Sequence, residues 1–223
     1  MGFSYVFYGT KHRIENFSAA FSNAGFIGIP LVQATLGSEM VFYIACYVAF
    51  LNIFQWIYGA YIMSGDKKNI SIHNILTNAV LISFCLSFLL YMLGLNNIPY
   101  LKSVAQSIAA MNSPLAMIII GVYLTEVSIK NIFCKRKTYI CSMIRLMVIP
   151  LISLLIFKLI PVGTTSIKLA LLIVLSAPVG SNVAMFAQKF KQSYTYAVEI
   201  VMLSTILSIV TMPLFILVAQ TIL

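Results

Sequence analysis

Charge is what this sequence has least of. Asp and Glu together number five in 223 residues, Lys and Arg number 14, and charged residues of every kind make up 9%. Glu15, Glu39 and Asp66 fall in polar punctuation between apolar runs, while Glu126 and Glu199 lie near the ends of such runs. With one Asp there is no paired-aspartate site, and neither HExxH nor Gly-x-Ser-x-Gly occurs, so an intramembrane hydrolase is disfavoured and no enzyme is expected. GxxxxGK[ST] is absent as well, which disfavours ATP-driven pumping by this chain alone. Cys46, Cys85, Cys134 and Cys141 form no CxxC pair, and His12 and His73 belong to no catalytic constellation. Neither a zinc site nor a secreted disulfide framework follows, and no metal or cofactor is expected. The first sixteen residues lack a central apolar stretch and a small-residue cleavage site, so they are not a signal peptide.

Apolar residues fill the rest. At 61% hydrophobic and a mean hydropathy of +1.00 the chain lies far outside soluble composition, and it reads as an integral membrane protein. Runs of about 20 apolar residues match the length a helix needs to cross roughly 30 Å of hydrocarbon. Seven are marked, at residues 17–37, 40–63, 74–95, 104–126, 139–160, 167–189 and 194–220. Barrel strands would alternate over about 10 residues and do not fit. The expected fold is all-α, with seven transmembrane helices.

Reading the loops alternately, one side receives Lys11, Arg13, Lys67, Lys68, Lys130, Lys135, Arg136, Lys137, Lys189 and Lys191. The other receives Lys102, Lys158 and Lys168, with residues 161–165 among its loops. By the positive-inside rule the N-terminus is expected in the cytoplasm and, after seven crossings, the C-terminus outside, in a multi-pass protein of the cell membrane. The net charge of +9 therefore reflects topology and gives no reason to expect nucleic acid. A lipid-binding role for the basic loop at 129–137 is the weaker alternative to a plain cytoplasmic connection.

Two apolar runs are interrupted. NAGFIGIP, residues 23–30, and APVGSN, residues 177–182, each place Asn, Gly and Pro inside a span. One such site would read as packing, with Gly25 and Gly28 allowing close approach and Pro30 a bend. Two, in spans that run in opposite directions, are the pattern of inverted-repeat transporters, whose half-helices meet at a midplane site. Pro30 and Pro178 are expected to open the second half-helices, since Pro at the first helical position sacrifices no donor. The ends so created could hold an anion, a cation or both. The absence of a carboxylate at mid-membrane favours the anion. The candidate substrate-binding residues are Asn23, Gly28, Pro30, Asn52, Pro178, Ser181, Asn182 and Thr205. For Thr205 and Ser204 a bond to their own helix backbone is the stronger reading. Arg145, two turns into the fifth span, is read as snorkelling to the interface, and Pro114, Pro150 and Pro213 as kinks.

The residues then resemble a known family, the auxin efflux carriers of bacteria and plants. SNAGFIGIPLVQATLG (22–37) resembles its first crossover helix and APVGSNVAMFAQKF (177–190) its second. SPLAMIIIGVYL (113–124), RLMVIPL (145–151) and STILSIVTMPL (204–214) also match in order. The resemblance implies ten spans in two inverted five-helix repeats, with an organic anion bound where the broken helices cross. It gives Asn23 and Pro30 the first-crossover roles and Pro178, Ser181 and Asn182 the second. Asn52, four residues before Trp56, matches a polar ligand position. Residues 1–16 would be a cytoplasmic segment, 17–63 the last two helices of the first repeat, 74–126 scaffold and 139–220 the moving part of the second repeat. The family's first three spans are missing, so a truncated chain is expected. The function implied is a secondary carrier exporting a malate-like or auxin-like carboxylate. The competing expectation is a non-transporting membrane protein, a sensor or an inactive carrier remnant. Expected partners are the anion and membrane lipid, with self-association into a homo-oligomer left open.

Overall fold

A computed structural model describes residues 1–222 apart from 67, 69, 71, 95–97, 161 and 162. Lys67, the end of the third span at 95 and the start of the outer loop at 161 therefore lie outside the described residues. Helices account for the described elements: α1 (Gly2–Tyr8), α2 (Arg13–Ala20), α3 (Ala24–Leu36), α4 (Glu39–Ser64), α5 (Ile72–Leu76), α6 (Ala79–Met92), α7 (Pro99–Ala110), α8 (Asn112–Glu126), α9 (Ile129–Cys134), α10 (Arg136–Leu159), α11 (Thr165–Ser176), α12 (Asn182–Lys189) and α13 (Tyr194–Ile222). Among the described residues there is no strand, only an isolated antiparallel bridge between Ser22 and Val179.

Four helical stretches are long and apolar enough to cross a membrane: Glu39–Ser64, Lys102–Glu126, Arg136–Leu159 and Tyr194–Ile222. Three further apolar helices, Ala24–Leu36, Ala79–Met92 and Thr165–Ser176, are shorter. Two of those three are short because the expected first and sixth spans are broken. Leu89, Met92, Ile108 and Ile118 are each more than half exposed, an apolar exterior suited to lipid rather than water.

Local chemistry explains the helix ends. Asn78 Oδ1 accepts from the backbone amides of Val80 and Leu81 at 2.9 and 3.3 Å and starts α6. Gly65, at φ +76°, terminates α4 in the left-handed region, and Arg13 donates to the freed carbonyls of Met63 and Ser64 at 3.3 and 3.0 Å.

Packing concentrates around α2, α10, α11, α12 and α13. Phe17 stands between Phe21 and Phe186, with ring centroids 4.6 and 4.9 Å away, and all three are fully buried. By contrast α6 to α8 bury few side chains, and Asn112 on α8 donates to the Gly25 carbonyl of α3 at 3.1 Å.

Three five-residue π turns, Ala24–Gly28, Gln55–Gly59 and Ile144–Val148, widen α3, α4 and α10. Two of them run directly into Ile-Pro, at Ile29-Pro30 and Ile149-Pro150. A proline ring inside a helix clashes with the carbonyl four residues back, and a π turn there shifts that carbonyl aside. This corrects the sequence reading of Pro30. The first break falls at residues 21–23, the second half-helix opens at Ala24, and Pro30 lies inside it. Pro178 likewise lies within its break, and the following half-helix opens four residues later at Asn182.

Candidate functional site

The two breaks meet. The Asn23 amide donates to the Pro178 carbonyl at 2.8 Å and the Gly180 amide donates to the Phe21 carbonyl at 3.0 Å, so two short extended segments pair where neither can continue a helix. The Val179 amide finds the Ser204 hydroxyl of α13 at 3.2 Å. Non-helical backbone at membrane depth survives only with such partners, and this pairing supplies them. Gly180 suits this close approach, because an added Cβ would stand 3.1 Å from the Ser22 carbonyl oxygen.

On one side of the crossing lies a cavity of about 140 Å³ lined by Ser22, Asn23, Ala24, Gly25, Asn52, Gln55, Ser181 and Asn182, among others. The N-terminal ends of α3 and α12 are part of its wall. The first amides of a helix have no acceptor four residues back, and each such end carries about half a positive charge, although the Val183 and Ala184 amides of α12 turn onto the Gly180 and Ser181 carbonyls at 3.1 Å. Four carboxamides surround them. Asn182 Nδ2 donates to Gln55 Oε1 at 2.8 Å, Asn52 Nδ2 is spent on the Val48 carbonyl at 2.9 Å, and Asn23 Nδ2 is buried without a hydrogen-bond partner. Among the described residues no Asp, Glu, Lys or Arg lines this cavity.

The opposite ends of the first half-helices meet a different group. Arg145, in the π turn of α10 and only 1% exposed, donates from Nε to the Ala177 carbonyl at 3.1 Å. Its Nη1 donates to Ala19 at 3.3 Å and its Nη2 to Leu175 at 2.7 Å. The guanidinium thus bridges the C-terminal ends of α2 and α11. This overturns the snorkelling assignment: Arg145 turns into the protein because two sets of orphan carbonyls converge there, which no local pattern around RLMVIPL reveals. A second cavity of about 420 Å³ has Arg145 itself in its wall, with Met1, Tyr47, Phe50, Ile149 and Leu175, and among the described residues shares only Leu51 with the first.

The sequence model of a family described as membrane transport protein matches residues 72–216, well over half of the chain. The chain belongs to this family. The match agrees with the resemblance to auxin efflux carriers and covers the second break, while the first lies outside it. The family is one of transporters, not enzymes. No curated protein and no solved structure gave a match.

Within this membrane transport protein the candidate residues divide. Asn23, Asn52, Ser181 and Asn182 line the smaller cavity. Gly28, Pro30, Pro178 and Thr205 are not among its lining residues. Gly28 instead packs against α11, where an added Cβ would stand 2.6 Å from Val174 Cγ1. Pro178 supplies the carbonyl that pairs the breaks, and the Thr205 hydroxyl donates to its own helix at Val201, 2.8 Å away. Sequence reasoning missed Gln55 and Asn112 and misplaced Arg145. The first two are single amides on apolar helices, and the only available signal was their scarcity.

Proposed function

We propose that this membrane transport protein is a multi-pass secondary carrier that moves a small carboxylate through the helix crossover. One observation carries the reading: the crossover's polarity is one-sided. The two C-terminal half-helix ends, each worth about half a negative charge, face the fixed positive charge of Arg145 and are neutralised by it. The two N-terminal ends, together about one positive charge, are left facing a cavity with amides and no acid. A carboxylate suits both the charge and the donors, in particular the unpartnered Asn23 Nδ2.

The cavity is small, about 140 Å³, and a malate-like acid is taken ahead of an indole acid as the class to test first. In this reading the four long helices and three shorter ones make seven crossings, α6 to α8 are the scaffold, and the remaining helices move against it within a 5+5 inverted-repeat design. The basic end faces the cytoplasm.

The test is equilibrium binding of radiolabelled malate to the purified protein in nanodiscs, followed by uptake into proteoliposomes. Saturable binding displaced by other small carboxylates is the expected result. Absence of saturable binding for both malate and indole acids, in protein that unfolds cooperatively, would reject the anion site.

A further inference from the structure

We infer that Arg145 is a tethered cation that takes the place of a coupling metal ion at the crossover, so that this carrier needs no sodium to assemble its site. The inference rests on the reading of the crossover as a transport site and goes beyond it.

In transporters built on broken helices, the unwound carbonyls and the C-terminal ends of half-helices form the usual seat for a coupling Na⁺ or proton. Here the carbonyls of Ala19, Leu175 and Ala177 converge from both broken helices, and one guanidinium takes all three at 2.7–3.3 Å. The electrostatics balance without another ion, because two half-helix ends contribute about one negative charge between them and Arg145 contributes one positive. Among the described residues the ion pairs are His12–Glu15 and Lys135–Glu199, so no carboxylate competes for the guanidinium. A buried cation inside a membrane protein, without an acidic partner, would be costly unless those dipoles held it. The π turn at Ile144–Val148 carries Arg145 itself, which places the widened part of α10 against the junction. A mobile ion leaves and rebinds with each cycle, whereas an arginine on α10 cannot. The crossover would therefore keep its positive bias in every state, and coupling to a sodium gradient at these carbonyls is lost by construction.

The experiment is thermal unfolding of the purified full chain in sodium, potassium and choline chloride at matched ionic strength. Wild-type midpoints should coincide in the three salts. Arg145→Ala should unfold roughly 5 °C or more lower. It should regain part of that shift in millimolar guanidinium, or in sodium relative to choline, as a free cation enters the vacated carbonyls. Arg145→Lys should fall between the two proteins, and it carries the test if the Ala variant does not fold. Selective stabilisation of wild type by sodium would overturn the inference. So would an Arg145→Ala protein as stable as wild type, or one that neither cation restores, which would make Arg145 a packing residue. Malate binding is measured on the same samples. Its absence alongside the expected salt pattern would remove the carboxylate assignment and leave the tethered cation standing.

Discussion

The Asn23 amide and the Pro178 carbonyl, 2.8 Å apart, tie the first broken helix to the second at the point where both lose their helical bonds. With the reciprocal bond from Gly180 to Phe21, the two breaks are paired through their backbones. Each half-helix end is thereby held in register with its counterpart, and Asn23 and Asn182 line the same small cavity.

The tightest backbone approach in that unit is at Gly180. An added Cβ would meet the Ser22 carbonyl oxygen at 3.1 Å, and that oxygen belongs to the paired segment and cannot swing away. Gly180→Val should destabilise the protein by about 1–3 kcal/mol. Gly25→Ala is the control, since nothing lies within 4 Å of its added methyl and it occupies a helical position. It should be neutral or gain up to about 1 kcal/mol. Unfolding midpoints of the two variants in one detergent decide the matter.

Gly28 offers a contact that can be repaired. Its added methyl would stand 2.6 Å from Val174 Cγ1, a side-chain atom on α11. Gly28→Ala should cost about 1–3 kcal/mol by overpacking, and Val174→Ala in the same protein should restore part of it. Additive losses in the double variant would show that the two residues are not in contact.

Loss of an amide in the cavity should weaken carboxylate binding without unfolding the protein. Asn182→Ala leaves Gln55 Oε1 without its donor, and Asn23→Ala removes a buried carboxamide nitrogen that has no hydrogen-bond partner among the described residues. An unpaired desolvated group costs about 1–3 kcal/mol, so each should lower malate affinity roughly 5- to 150-fold. Unchanged affinity in both would return these residues to a packing role.

The breaks themselves were legible, because Asn, Gly and Pro stand out against apolar neighbours in NAGFIGIP and APVGSN. Their boundaries were not. Pro30 reads as a helix opener by local rules, yet a π turn accommodates it six residues after α3 begins, and i→i+5 geometry has no signature in composition. Asn52 could be placed from sequence, but the hydrogen bond of its side chain to Val48 could not. Arg145 failed for a deeper reason. Its partners at Ala19, Leu175 and Ala177 come from two other helices, and their carbonyls carry no side-chain identity that a sequence could display. Gln55 was invisible in the same way, since its importance comes from Asn182 on a distant helix.

At the basic end, Lys135 Nζ lies 2.6 and 2.8 Å from the two oxygens of Glu199, a carboxylate whose side chain is 1% exposed while that of the lysine is 45% exposed. Lys135→Met should strand the carboxylate. Breaking a fully buried pair costs about 3–5 kcal/mol, and the half-exposed lysine reduces the expectation to about 1–3 kcal/mol. Adding Glu199→Gln should recover most of the loss, and a double-mutant cycle on unfolding free energies measures the coupling. A coupling of zero would show that Glu199 is satisfied without Lys135.

Contacts gather the basic residues at one end of the bundle, which makes the orientation testable. Arg13 reaches the carbonyls that close α4, Tyr196 donates to Glu15 at 3.1 Å, and Lys135 pairs with Glu199, so the segments around residues 13, 64, 135 and 196 lie together. Lys168, by contrast, caps the far end of α10 by donating to Phe157 and Ile160 at 2.8 and 2.7 Å. A surplus of Lys and Arg holds its loops on the cytoplasmic side during insertion, so the first group should be inside and Lys168 outside. Lys68→Cys, Arg136→Cys and Ser166→Cys report the three positions, all exposed, in a chain whose four native cysteines have been replaced. In intact cells a membrane-impermeant maleimide should label Ser166→Cys, and the other two should react only after permeabilisation. Labelling of Lys68→Cys and Arg136→Cys in intact cells, with Ser166→Cys protected, would invert the topology.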